Sequence, residues 1–218
     1  MKNPLTPSSI ARNLKQKPGE IIVKSSTAST NDDAKTLALS GAPCFTAVLS
    51  QIQTNGRGQH GRGFVSDRGG LFLSVIVGRG YEAKNAAFIT LCAAVAVMKA
   101  VERISGIRPK IKWINDLLVD GRKICGILTE SRTADKSLEF AVVGIGLNVN
   151  NETFPPEIAE KAASLYGITG EKYDLNLCAA AIINALYDEF SRFETGEFLK
   201  VYRENLTDPS AADNIKFN

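Results

Sequence analysis

Residues 110–114, 123–130 and 138–148 are three apolar runs separated by little more than turns such as Asp120-Gly121. Short runs bounded by turn residues read as strands. Three of them in close succession leave no helix between one strand and the next, and that constrains the fold most. A doubly wound sheet needs strict alternation of strand and helix. Further strand-like runs cover residues 21–24, 44–50 and 71–77, and helical spacing covers 32–40, 84–104, 173–193 and 198–205. Helices and groups of strands are thus mixed, which predicts an α+β fold with a mixed β-sheet flanked by helices. The expected organisation is a polar arm over residues 1–20, one domain over 21–206 and a frayed tail over 207–218.

The chain has 218 residues, of which 44% are hydrophobic, enough for one sizeable core. Its formal net charge of +3 is too small to argue for nucleic acid, so any positive field must be local. Cys44, Cys92, Cys125 and Cys178 are widely spaced, the usage of reduced thiols in a cytoplasmic protein rather than of a disulfide framework or zinc site. His60 is the only histidine, which excludes a His-based metal cluster and a Ser-His-Asp triad. The first residues do not have the charged-then-apolar pattern expected of a signal peptide, and the nearly apolar run 86–98 is too short for a bilayer, which takes about 20 residues.

The most informative stretch is Gly56-Arg57-Gly58-Gln59-His60-Gly61-Arg62-Gly63. Glycines let backbone N–H groups approach a ligand, and arginines supply forked cationic donors, a combination suited to phosphate and carboxylate oxygens. The run matches G-x-G-x-x-G, but it leads through a loop to a strand and does not open a helix, so it is not a dinucleotide fingerprint. A solvated surface loop is the plain alternative.

Four further segments are weaker singly. Lys112-Trp113-Ile114-Asn115-Asp116-Leu117 reads as a strand ending in an amide and a carboxylate. Alternation would put Lys112 and Ile114 on one face and Trp113 and Asn115 on the other. Its end suits Mg²⁺ beside phosphates, or simply a turn. Lys123 leads into an apolar strand, either reaching inward to an anion or blunting an exposed edge. Residues 142–150 form an apolar strand containing Gly144 and Gly146, which marks a close approach or a bulge. Ser29-Thr30-Asn31 stands at a helix start, where capping explains one polar side chain but not three.

In order and spacing, Ser29-Thr30-Asn31, G-R-G-x-x-G-R, K-W-x-N-D-L, K-x-x-G-I-L-x-E and G-I-G-L-N-V-N resemble the biotin–protein ligase family over about residues 21–150. The resemblance implies the family's catalytic fold, like the class II aminoacyl-tRNA synthetase core. It implies that biotin reacts with ATP to give biotinyl-adenylate, and that a lysine of a carboxyl-carrier domain then takes the biotin. By that resemblance Lys123 and Arg57 are catalytic. Ser29, Thr30, Asn31, Gln53, Arg57, Gly58, Gln59, Lys123, Gly126 and Gly144 bind biotin. Arg62, Phe64, Lys112, Trp113, Asn115 and Asn148 bind ATP, and Asp116 is the Mg²⁺ candidate. Gly126, Gly144 and Gly146 would let the ligands lie against the sheet. The loop would order over the adenylate and exclude water.

The sequence departs from the family pattern at Gln59, where an arginine is usual, at Ile114 for proline and at Phe64 for tryptophan. The family's C-terminal β-barrel is expected to be missing after Leu206. The stretch before residue 21 is too short for a winged helix, so no repressor activity is expected. The partner implied is the carrier domain of acetyl-CoA carboxylase or a related carboxylase, with neither nucleic acid nor membrane; a homodimer is compatible. The competing readings are a lipoate–protein ligase and a non-catalytic biotin sensor.

Overall fold

The computed structural model describes residues 4–16 and 19–212; parts of the expected arm and tail lie outside them. Seven strands form one mixed sheet: β1 (Ile21–Lys24), β2 (Ala47–Ser50), β3 (Gly70–Val77), β4 (Lys110–Lys112), β5 (Asp116–Val119), β6 (Arg122–Ala134) and β7 (Ser137–Asn148). Their order is β1-β2-β3-β7-β6-β5-β4. Only β1 and β2 pair in parallel, because a helix, α2 (Thr30–Leu39), connects them; turns or longer returns make the other pairs antiparallel.

The other helices are α1 (Pro7–Ala11), α3 (Ala86–Ser105), α4 (Leu165–Thr169), α5 (Leu175–Phe190) and α6 (Phe198–Glu204). Strand alternation divides the molecule. Leu71, Leu73, Val75 and Val77 of β3 join Ala141, Val143, Ile145 and Leu147 of β7 under α3 and α5. Ile76 of β3 and Val142 of β7 face the other way, against Ala34 and Ala38 of α2. The long helix α3 is apolar almost all round because it is covered on nearly every side. No helix among the described residues is long and apolar enough to cross a membrane.

Three expectations are corrected. The N-terminal segment is docked rather than a free arm. Thr6 caps α1, Ile10 is fully buried, and Asn176 and Asn184 of α5 hydrogen-bond its backbone. Leu5 and Ile10 supply buried apolar area in an otherwise polar stretch. Next, the strand expected through Asn115 ends at Lys112. Residues 113–115 turn, with a cis peptide between Trp113 and Ile114, and Asp116 opens β5. The supposed alternation of Lys112 to Asn115 therefore does not exist. Finally, the segment beyond Leu206 is not wholly frayed, since Thr207 N–H donates to Ile111 C=O at 2.8 Å.

Candidate active site

The face of the sheet that carries α2 near one end is uncovered near the other, and there the glycines lie. Gly126 of β6 sits directly across from Gly146 of β7, and Leu128 across from Gly144. Two adjoining cavities open over this floor. The first, of about 180 Å³, is lined by Ser29, Thr30, Asn31, Gln53, Arg57, Gly58, Gln59, Arg62, Phe64, Asn115, Asp116, Lys123, Gly126, Gly144 and Gly146 among others. The second, about 340 Å³, takes Lys112, Asn148, Phe154, Ile158 and Lys161, and shares Phe64, Asp116 and Lys123 with the first.

Lys123 reaches this face because of a β-bulge. Leu117 pairs with Cys125 but Leu118 pairs with Lys123, so Ile124 is an extra residue on β6. Ile124 and Cys125 both enter the core, and Lys123 turns to the side of Gly126. Strict alternation would have put Lys123 in the core beside Cys125. Its ammonium pairs with Asp116 Oδ1 at 2.7 Å and lies 5.5 Å from the Phe64 ring centre.

The lining of the first cavity combines two kinds of chemistry. Its neutral polar side chains form a network. Ser29 caps α2 at Asp32 N–H. Thr30 donates its N–H and its hydroxyl to Gln53 Oε1, at 2.9 and 3.1 Å, and Gln53 Nε2 donates to Ser66 Oγ. The Ser74 hydroxyl is shared between Asn31 Oδ1 (2.6 Å) and Thr30 Oγ1 (2.8 Å). Asn31 Nδ2 donates to Glu130 Oε2 at 2.8 Å. Ser29, Thr30, Asn31, Ser66 and Ser74 are buried, Gln53 and Glu130 partly so, and their hydrogen bonds hold them in fixed orientations, a rigid wall for a ligand rich in donors and acceptors. Arg57, Arg62 and Lys123 add cations to the same lining.

Arg57 is itself paired, to Asp32. The Arg57 guanidinium, helped by Lys35, holds the Asp32 carboxyl below its ordinary value against the opposing effect of burial. Asp32 in turn raises Arg57. Burial works against the Lys35 charge, but Glu130 and Asp32 outweigh it and raise its pKa.

The glycines serve the protein's own side chains. A Cβ on Gly144 would collide with the Asn31 amide, and one on Gly146 with the Phe64 ring; one on Gly126 would come within 2.9 Å of Phe64 and 3.0 Å of Lys123 Nζ. The expectation that ligands lie on all three glycines is revised accordingly: Asn31 and Phe64 already occupy that space.

The structure gathers nearly all the sequence-derived candidates. Arg62 and Asn115, expected at the nucleotide, line the first cavity; Lys112 and Asn148 line the second. Asn148 Nδ2 is engaged by Ala163 C=O at 3.0 Å. Trp113 lines neither cavity; it is exposed and packs edge-on against Tyr202, with ring centres 6.1 Å apart. Ser74, Asp32, Lys35, Glu130 and Lys161 were missed. Ser74 had left a signal, a lone hydroxyl inside an apolar strand.

Residues 22–148 match the model of the biotin/lipoate A/B protein ligase family. The chain is 40% identical over 149 residues to the bifunctional ligase/repressor BirA of Bacillus subtilis, which covers 67% of this chain and 46% of that protein. It is 35% identical over 174 residues to the biotin–[acetyl-CoA-carboxylase] ligase of Mycobacterium tuberculosis, covering 77% and 62%. Among solved structures, the biotin protein ligase from Aquifex aeolicus in complex with biotin and ATP superposes with a TM-score of 0.75 at 28% identity, over 86% of this chain and 78% of that one. The chain spans about half the length of the BirA proteins it matches, 48% and 46%.

Proposed function

Because this chain belongs to the biotin/lipoate A/B protein ligase family, we propose that it activates biotin with ATP and passes it to a lysine of a biotin carboxyl-carrier domain. The observation that carries the proposal is the meeting of the two cavities at Lys123, Asp116 and Phe64. One cavity presents fixed hydrogen-bonding groups suited to the ureido ring of biotin; the other is lined by Lys112, Lys161 and Asn148 and suits a nucleotide. The acid and the nucleotide would then touch at the junction.

In the first step a carboxylate oxygen of biotin attacks the α-phosphorus of ATP and pyrophosphate leaves. Two anions must approach, and Lys123, Arg57 and Lys112 offset the charge that gathers there. In the second step the amine of the carrier lysine attacks the carbonyl of the mixed anhydride, and AMP leaves with the bond electrons. Phe64 and the loop around Arg57 exclude water from the anhydride meanwhile.

Mg²⁺ fits only as an ion brought by the nucleotide. Among the described residues no group of three His, Cys, Asp or Glu side chains is placed to hold a metal, and Asp116 is the one carboxylate shared by both cavities. One carboxylate with phosphate oxygens is a usual Mg²⁺ environment, and the ion would neutralise phosphate charge.

The test is incubation with biotin, Mg·ATP and a carrier domain, read by mass. A gain of one biotinyl group on the carrier supports the proposal. Turnover of lipoate in place of biotin favours the lipoate ligase reading, and biotin binding without pyrophosphate release favours a sensor.

A further inference from the structure

The loop that bears Arg57 is a narrow two-armed structure. Gln53 N–H donates to Ser66 C=O at its base, Phe64 N–H to Gly56 C=O at 2.9 Å, and Gly58 N–H to Arg62 C=O at 2.7 Å near its tip. All these bonds are internal to the loop. Among the described residues, one side-chain ion pair fastens residues 57–63 to the body of the protein, that of Arg57 with Asp32 on the first turn of α2. The base of the loop is built into the sheet and Phe64 packs over Gly126 and Gly146; beyond Phe64 this ion pair fastens the outer part.

Asp32 is not an isolated surface acid. Its Oδ1 also takes Lys35 Nζ at 2.9 Å. Lys35 Nζ reaches Glu130 Oε1 on β6 at 2.8 Å, and the other Glu130 oxygen receives the Asn31 amide. A continuous line of alternating charge, Arg57, Asp32, Lys35, Glu130, thus runs from the loop to the acid that holds Asn31 of the cavity wall. Each acid in it bears on two donors, so neither direction of movement relieves the other.

We propose that Asp32 is a positioning residue for the reaction proposed above: through Arg57 it holds the outer loop over the first cavity and aims the guanidinium at the acid bound there. The inference rests on that reading of the site. Asp32 touches neither reactant. Its carboxylate orients the guanidinium by one edge, and the remaining N–H groups, which have no protein partner among the described residues, are left for the carboxylate of biotin and the adenylate. Loss of Asp32 frees the loop to swing, so the acid binds more weakly and the adenylate escapes before transfer. Asp32 and Arg57 are both partly exposed, so the pair adds little to global stability. The effect falls on binding and retention instead.

The experiment compares the unsubstituted chain with Asp32→Asn and Asp32→Glu. It measures pyrophosphate release against biotin and ATP concentration, labelling of a bystander protein by escaped adenylate, and thermal unfolding. Asp32→Asn should raise KM for biotin about tenfold, the size of one lost charge-assisted hydrogen bond, with KM for ATP and the unfolding temperature little changed. Bystander labelling should rise with it, and Asp32→Glu should restore both. A folded Asp32→Asn chain with unchanged KM for biotin and unchanged labelling overturns the assignment, as does failure of glutamate to rescue. If the unsubstituted chain releases no pyrophosphate from biotin and ATP, the proposed function fails first, and that outcome is distinguishable from failure of Asp32 alone.

Discussion

Lys123 and Asp116 are held face to face, Nζ to Oδ1 at 2.7 Å, across the bulged pairing of β5 with β6. The pair stands where the two cavities join, so under the proposed function its charges would face the ligands of both. An ammonium already fixed by a carboxylate costs little to reorganise when negative charge builds up nearby.

Lys123→Ala removes the cation and leaves the Asp116 carboxylate facing the phosphates. Pyrophosphate release with biotin and ATP should fall by about 10²–10³-fold, the range for deleting one preorganised charge-stabilising donor. The thermal unfolding temperature should stay near that of the unsubstituted chain, because both partners are partly exposed. A variant that retains most of its activity would refute the role.

Gly144→Ala and Gly146→Ala differ in what the new methyl meets. At Gly144 it meets the Asn31 amide, which Ser74 and Glu130 hold from both sides and which cannot retreat. At Gly146 it meets the Phe64 ring on a loop that can shift. Calorimetric titration with biotin should show a loss of affinity of about tenfold or more for Gly144→Ala, in line with overpacking costs of roughly 1–3 kcal/mol, and a smaller loss for Gly146→Ala.

Gln59 lines the first cavity at the tip of the loop, where it adds no charge. Gln59→Arg supplies a further cation beside the bound adenylate. Labelling of a bystander protein should drop while labelling of the carrier persists. Equal adenylate release from both proteins would sink the idea.

Three thiols are shielded. Burial pushes Cys178 up to about 12 and raises Cys92 and Cys125 as well. A raised thiol stays protonated at pH 8, and the thiolate is the reactive form. Alkylation at that pH should modify Cys44, which is only partly buried, and spare the other three until the chain is unfolded in denaturant. Mass mapping of native and unfolded samples decides it.

Much of this molecule was legible from local patterns. The apolar runs announced six of the seven strands and the long helix α3, because burial of one or both faces leaves a period in the residues themselves. The loop around Arg57 stood out by its glycines and arginines, and the order of five motifs pointed to the family that the comparison then bore out. The N-terminal segment was misread because only Leu5 and Ile10 betray its docking. Asp116–Val119 was not separated as a strand because a three-residue turn hides between it and β4.

Residue types and their spacing determined that this chain would build a mixed sheet and carry cations beside glycines, since backbone periodicity and side-chain chemistry are local properties. Which cation faces the cavity was decided only by the fold. Lys123 turns outward because β6 slips by one residue against β5, and Arg57 is aimed because Asp32 of a different segment stands beside it. The strand partner of Lys123 is close in sequence, but residue types do not display the one-residue slip between β5 and β6, and Asp32 lies outside any local window around Arg57.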